Sequence, residues 1–134
     1  MIKWFDYFYY RVYQWYEKRD PHPKAYASGA VSLFQSFLLL NTFLCFEYLL
    51  KINSKDFIGN NYGKVMAAVV ILILIVINFF RYDHASRYDE LRLIYASEEA
   101  SKRESKGRIC IVLFTAALII PFVYGFLKHS LKVI

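Results

Sequence analysis

The sequence predicts an all-α membrane protein with an N-terminal interfacial amphipathic helix, three transmembrane helices and a cytoplasmic helical extension between the second and third. Three observations carry this expectation. Hydrophobic residues make up 57% of the 134 and charged residues 21%, yet the two classes fall into separate blocks instead of interleaving with period 2 or 3.6. Apolar runs cover residues 25–50, 65–80 and 109–127, close to the length that crosses a hydrocarbon core of about 30 Å. Aromatics reach 19%, with 12 Tyr and 12 Phe, and such rings favour the headgroup region, where an apolar body and a polar tip are both satisfied. The length bounds the chain to a single membrane domain, residues 1–134.

Residues 1–19 form the first element. Met1, Trp4, Phe5, Phe8, Val12, Trp15 and Tyr16 recur at three- and four-residue steps, while Lys3, Asp6, Arg11, Gln14 and Lys18 fall mostly on the other side. This predicts an amphipathic helix lying in the membrane interface; the competing reading packs it against a protein partner. Asp20-Pro21-His22-Pro23 ends it, because each proline disfavours helix in the residue before it. The first span follows over 25–50, then an outer loop over 51–64 rich in Asn, Gly, Ser and Asp.

The second span, 65–80, has only 16 residues, about 24 Å, so Tyr62, Lys64, Arg81 and Tyr82 must reach the interfaces or the bilayer must thin. Residues 81–108 are densely ionic, with seven basic and six acidic side chains, and Glu98, Glu99, Lys102, Arg103 and Lys106 are spaced for pairing one turn apart. Tyr88, Leu91, Ile94 and Tyr95 make a small apolar stripe. Helix is expected to continue from the second span to about Ser105, with Gly107 breaking it before the third span, 109–127, which contains Pro121.

Orientation follows from the basic residues. The N-terminal segment has five Lys/Arg and 81–108 has seven, against three in the outer loop and two in the tail. Twelve against five places the N-terminus and the ionic segment in the cytoplasm and the C-terminus outside. The net charge of +6 is thereby read as a topology signal plus attraction to anionic lipid, with no nucleic-acid partner. Cys45 and Cys110 then lie toward opposite faces, without metal-ligand spacing and unable to pair with each other.

Several polar residues inside the spans are candidates for helix packing. Ser28, Ser32 and Ser36 recur every four residues with Gly29 beside them, which suits either a dimer or partner interface or, as favoured, contact with this chain's own second or third span. Pro121 cannot donate to the carbonyl of Ala117, and Asn41 lies at the same depth, about 14–15 Å from the outer end of its helix, so Asn41 is expected to approach that kink. Asn78 and Gln35 read as further inter-helix glue. Glu47 is the one acid inside an apolar run, either an ion or proton site or, as favoured, a side chain reaching water or Lys51.

No catalytic, cofactor-binding or metal-ligating residue is assigned. His22, His84 and His129 are dispersed, and Asp83-His84 with Asp89-Glu90 reads as an exposed ionic helix as readily as a cation site. There is no phosphate loop, paired-histidine helix or nucleophile elbow.

At residues 5–13, Phe-Asp-Tyr-Phe-Tyr-Tyr-Arg-Val-Tyr, at Tyr26-Ala27-Ser28-Gly29 and at Arg81-Tyr82, the chain resembles a group of small bacterial membrane proteins common in Bacteroidota, without known activity. The resemblance covers about a third of the chain and implies a bacterial inner membrane, with no ligand or site attached. The expected function is a non-enzymatic accessory or scaffold subunit that binds a larger membrane partner or itself through the serine stripe and the 81–106 helix. The alternative is an oligomeric channel, pore-former or transporter with Gln35, Asn41 and Glu47 along its path. Those three positions fall at 0°, 240° and 120° around a helix turning about 100° per residue, which argues against a shared lining.

Overall fold

A computed structural model describes residues 2–51, 61–83 and 87–131, with the side chains of Ile2 and Asp83 set aside. The described residues form five α-helices: α1 (Ile2–Tyr16), α2 (Pro23–Leu50), α3 (Asn61–Asp83), α4 (Arg87–Tyr95) and α5 (Ala100–His129). Of these, α2, α3 and α5 are long and apolar enough to cross a membrane.

Local chemistry sets the boundaries. After α1 the Asp20 carboxylate accepts a hydrogen bond from the backbone N–H of His22 at 3.0 Å, and Pro23 opens α2, where a missing N–H costs nothing. Lys51 closes α2 in the left-handed conformation, φ 51°, a shape that satisfies a helix end but strains a residue with a Cβ. Most of the outer loop, 52–60, lies outside the described residues.

Two expected boundaries move. The second apolar run lies in a 23-residue helix, so α3 reaches about 34 Å, long enough to cross a hydrocarbon core without thinning; Asn61–Lys64 and Arg81–Asp83 continue the same helix beyond the apolar run. The break in the ionic segment also lies earlier than expected. Helix α4 ends at Tyr95, Glu99 is extended at φ −60°, ψ 142°, and α5 then runs through Gly107 without interruption. Glycine is a weak helix breaker, costing about 1 kcal/mol against alanine, and here it meets a spatial demand. The Arg11 guanidinium lies over Gly107 so closely that an added Cβ would stand 2.9 Å from Nη2. Glycine marks a close approach of α1 to α5, not an end.

Helix α2 is the centre of the molecule. It packs along α3 and along α5, and α1 folds back on its first half. The hairpin of α1 and α2 is antiparallel: Tyr16 stacks on Tyr26 at one end, while Trp4, Phe5 and Phe8 reach Phe34 at the other. Residues Asp6 to Tyr10 are all buried, so this part of α1 is covered on every side rather than along one stripe. The covering surface is the chain's own: α2, the end of α3, α4 and the start of α5. The sequence-level alternatives were the lipid interface and a separate protein.

Candidate functional site

Burial of five consecutive residues of α1 brings a carboxylate inside. Asp6 is 5% exposed and holds three donors: Arg81 Nη2 at 2.8 Å, Arg87 Nη2 at 2.8 Å and Tyr82 OH at 3.0 Å. Arg87 also reaches Glu90 at 3.3 Å. A buried carboxylate is costly unless it is paired and hydrogen-bonded, and here both oxygens are engaged by guanidinium groups from α3 and α4. The cluster fastens three elements to one atom group.

Around it stands a layer of tyrosines. Tyr9 stacks on Tyr82 at 4.0 Å between ring centroids, and Tyr13 on Tyr88 at 3.7 Å. Tyr10 packs between Tyr88 and Tyr95, and Tyr7 meets Tyr95 edge-on at 4.9 Å. Tyr88 OH donates to Glu17 at 3.1 Å. Burial, and next the Glu98 charge, push the Tyr7 hydroxyl up to about 12 from its ordinary 10.0. Burial raises Tyr13, Tyr88 and Tyr95 as well, with Glu17 adding to the rise at Tyr88 through its hydrogen bond. These phenols stay neutral donors at physiological pH.

Beside this layer, α1, α4 and α5 enclose a cleft of about 360 Å³ lined by Lys3, Trp4, Tyr7, Tyr95, Lys106, Ile109 and Cys110. Lys106 pairs with Glu98 at 2.8 Å and lies over the Tyr7 ring. The size falls in the range of small-molecule sites, and the mixture of rings with a few charges is the composition such sites use.

The residues expected to pack helices sit in different surroundings. Ser28 and Ser32 are buried, and Ser36 is partly buried. Their hydroxyls donate along their own helix, to the carbonyls of Ala25, Ser28 and Ser32. Ser32 Oγ in turn accepts from Asn78 Nδ2 at 3.1 Å, and the same amide donates to Gln35 Oε1 at 2.6 Å. At Ser32 the stripe therefore meets this chain's α3. Gly29, one residue round the helix from Ser28, is exposed with open space beside it.

Asn41 Nδ2 donates to the Ala117 carbonyl at 3.0 Å, supplying the donor that Pro121 lacks. Glu47 does not reach water as a side chain one turn from the interface would: it is 5% exposed and ion-paired with Lys128 of α5, next to a second cavity of about 230 Å³ that includes Leu44, Pro121, Tyr124 and His129. Lys51 closes α2 in the left-handed conformation with its side chain exposed.

Cys45 is exposed and Cys110 buried, both as free thiols. Among the described residues no group of three His, Cys, Asp or Glu could hold a metal ion, and His84 lies outside them.

The Asp6 cluster is what sequence reasoning missed, since helical spacing assigns Asp6 to the wet face. Residues 5–13, Arg81-Tyr82 and Arg87 meet here across 75 to 81 positions of sequence. Chemically the arrangement binds and positions: Asp6 is saturated with donors, and the serines spend their protons on their own backbone. Comparison with known protein families, characterised proteins and solved structures finds no match.

Proposed function

We propose that the chain is a non-enzymatic accessory or scaffold subunit of a bacterial inner membrane, inserted with its N-terminus in the cytoplasm and its C-terminus outside, and acting by helix association with a larger membrane protein. One observation carries the reading. Leu93 and Ile94, on the short non-spanning helix α4, are 78% and 63% exposed beside charged neighbours. On this reading the two uncovered apolar side chains, outside the spans, are the contact point for the partner. The outer face of α3, apolar and exposed from Val65 to Ile77, extends the available surface into the bilayer.

The serine stripe is withdrawn from this proposal, because at Ser32 it meets α3. The pore reading loses support for a related reason. Gln35 turns to Asn78 on α3, whereas Asn41 and Glu47 turn to α5, so the three polar side chains are matched separately inside one chain.

The test is purification of the tagged protein from its native membrane in mild detergent, beside a Leu93→Glu/Ile94→Glu variant. A stoichiometric companion that the variant loses, with helicity and yield unchanged, is the expected result. A monomer with no companion sinks the accessory reading. A homo-oligomer that carries ions across liposomes puts the pore in its place.

A further inference from the structure

We infer that the cleft between α1, α4 and α5 binds the headgroup of an anionic phospholipid, with Lys3 and Lys106 as the phosphate ligands. The cleft straddles a change of solvent. Lys106 belongs to the ionic first third of α5, and three residues on, Ile109 opens the apolar run. The lining therefore sets two lysines beside the apolar Trp4 and Ile109. A headgroup joined to acyl chains has the same division, and Ile109, Ile111 and Val112, all at least half exposed, give the chains a surface to follow.

The charge balance selects the class of lipid. Lys3 and Lys106 come from different helices and line one space, and the Arg11 guanidinium stands over the neighbouring Gly107. Two carboxylates act on this lining: Glu98, paired with Lys106, and Asp6, whose charge Arg81 and Arg87 already match and which is therefore left out of the balance together with them. Three cations against one anion leave positive charge unmatched at headgroup depth. In a zwitterionic headgroup an ammonium cancels the phosphate, whereas an anionic one keeps a net negative charge, in phosphatidylglycerol that of the phosphate itself. The Tyr7 and Tyr95 rings wall the space, as aromatics do at the membrane interface. The inference rests on the membrane reading and not on which protein the chain assists.

Trp4 lines the cleft and the chain has only two tryptophans, so Trp15→Phe makes Trp4 a sole fluorescent reporter. The protein is reconstituted in phosphatidylcholine vesicles containing equal fractions of either brominated phosphatidylglycerol or brominated phosphatidylcholine, and quenching is compared. The expected result is an enrichment of the anionic lipid at Trp4 of about five-fold per engaged lysine, lost in Lys3→Gln/Lys106→Gln. Lys18→Gln/Lys64→Gln removes the same charge from exposed positions elsewhere and should keep the enrichment; its retention also shows that charge loss as such does not unfold the protein. Equal quenching by the two lipids overturns the inference. So does an enrichment that survives loss of Lys3 and Lys106, which would mean diffuse attraction. If soluble glycerol phosphate abolishes the excess at millimolar concentration, the site belongs to a free phosphate compound and the lipid assignment falls.

Discussion

Asn41 and Pro121 form a pair in which one residue repairs what the other breaks. Proline removes the donor for the Ala117 carbonyl, and the asparagine amide supplies it from α2. An inter-helix hydrogen bond in a membrane contributes about 0.6–1.7 kcal/mol. Asn41→Ala should lower stability by that amount, as measured by unfolding in mixed micelles. In a Pro121→Ala background, where residue 121 regains its N–H, the same substitution should cost close to nothing. An additive double mutant would mean that the bond is incidental. At Tyr7 the folded chain holds the phenolic proton to about 12, whereas the unfolded chain releases it near 10.0. A raised folded value means a contribution present below pH 10 and lost as pH climbs from there to about 12. The fall in denaturation midpoint over that window should be smaller in Tyr7→Phe, and an identical pH profile would count against the burial of this phenol. The Asn41 contact was legible from sequence because α2 and α5 run in the same direction, so counting residues gives depth. The Asp6 contacts were not. Their partners lie 75 to 81 positions away, and nothing in a local pattern tells a helix which face another helix will cover.

At the level of elements, composition located the three long apolar helices and the end of α2 at Leu50, but not the starts of α3 and α5, which lie before their apolar runs. Apolar runs report where lipid contact begins, and a helix continues past that point as long as its backbone bonds are satisfied. This is why α3 outlasts its apolar run at both ends, and why α5 joins an ionic stretch to an apolar one through Gly107. Gly107→Ala tests the account. Alanine gains about 1 kcal/mol of helix propensity, and its methyl meets the movable end of Arg11 instead of backbone. Stability should therefore change by less than about 1 kcal/mol in either direction. A bulkier Gly107→Leu should push α1 off α5 and expose Cys110, which a thiol-reactive maleimide would report. Unchanged labelling in the leucine variant would mean that α1 does not close over that position. For α1 itself the hydrophobic spacing was real, but five buried residues in a row show a helix enclosed by several neighbours, a state that period alone does not separate from an amphipathic one.

For the molecule as a whole, two ionic fastenings stand at opposite ends of the helix assembly. Asp6 ties α1 to α3 and α4 at one end, and Glu47 ties α2 to α5 at the other. Between them, α3 and α5 each pack mainly on α2. Glu47→Lys alone sets two ammonium groups against each other at the far end and should lower the detergent melting temperature by about 5–10 °C. The exchanged pair, Glu47→Lys with Lys128→Glu, should recover most of the loss. Failure of the double variant to recover would show that the surroundings, not the pairing, demand an acid at position 47.

The long reach of the Asp6 fastening also sets a timetable for biogenesis. The second of its arginine partners is 81 residues downstream. At a synthesis rate of about 5–20 residues per second, Asp6 is made roughly 4–16 s before Arg87. Until Arg81 is made the carboxylate has no native counter-ion, and until Arg87 is made the aromatic helix has no finished seat. Helix α1 is thus made well before the elements that cover it, so its final position is decided only once α3 and α4 exist.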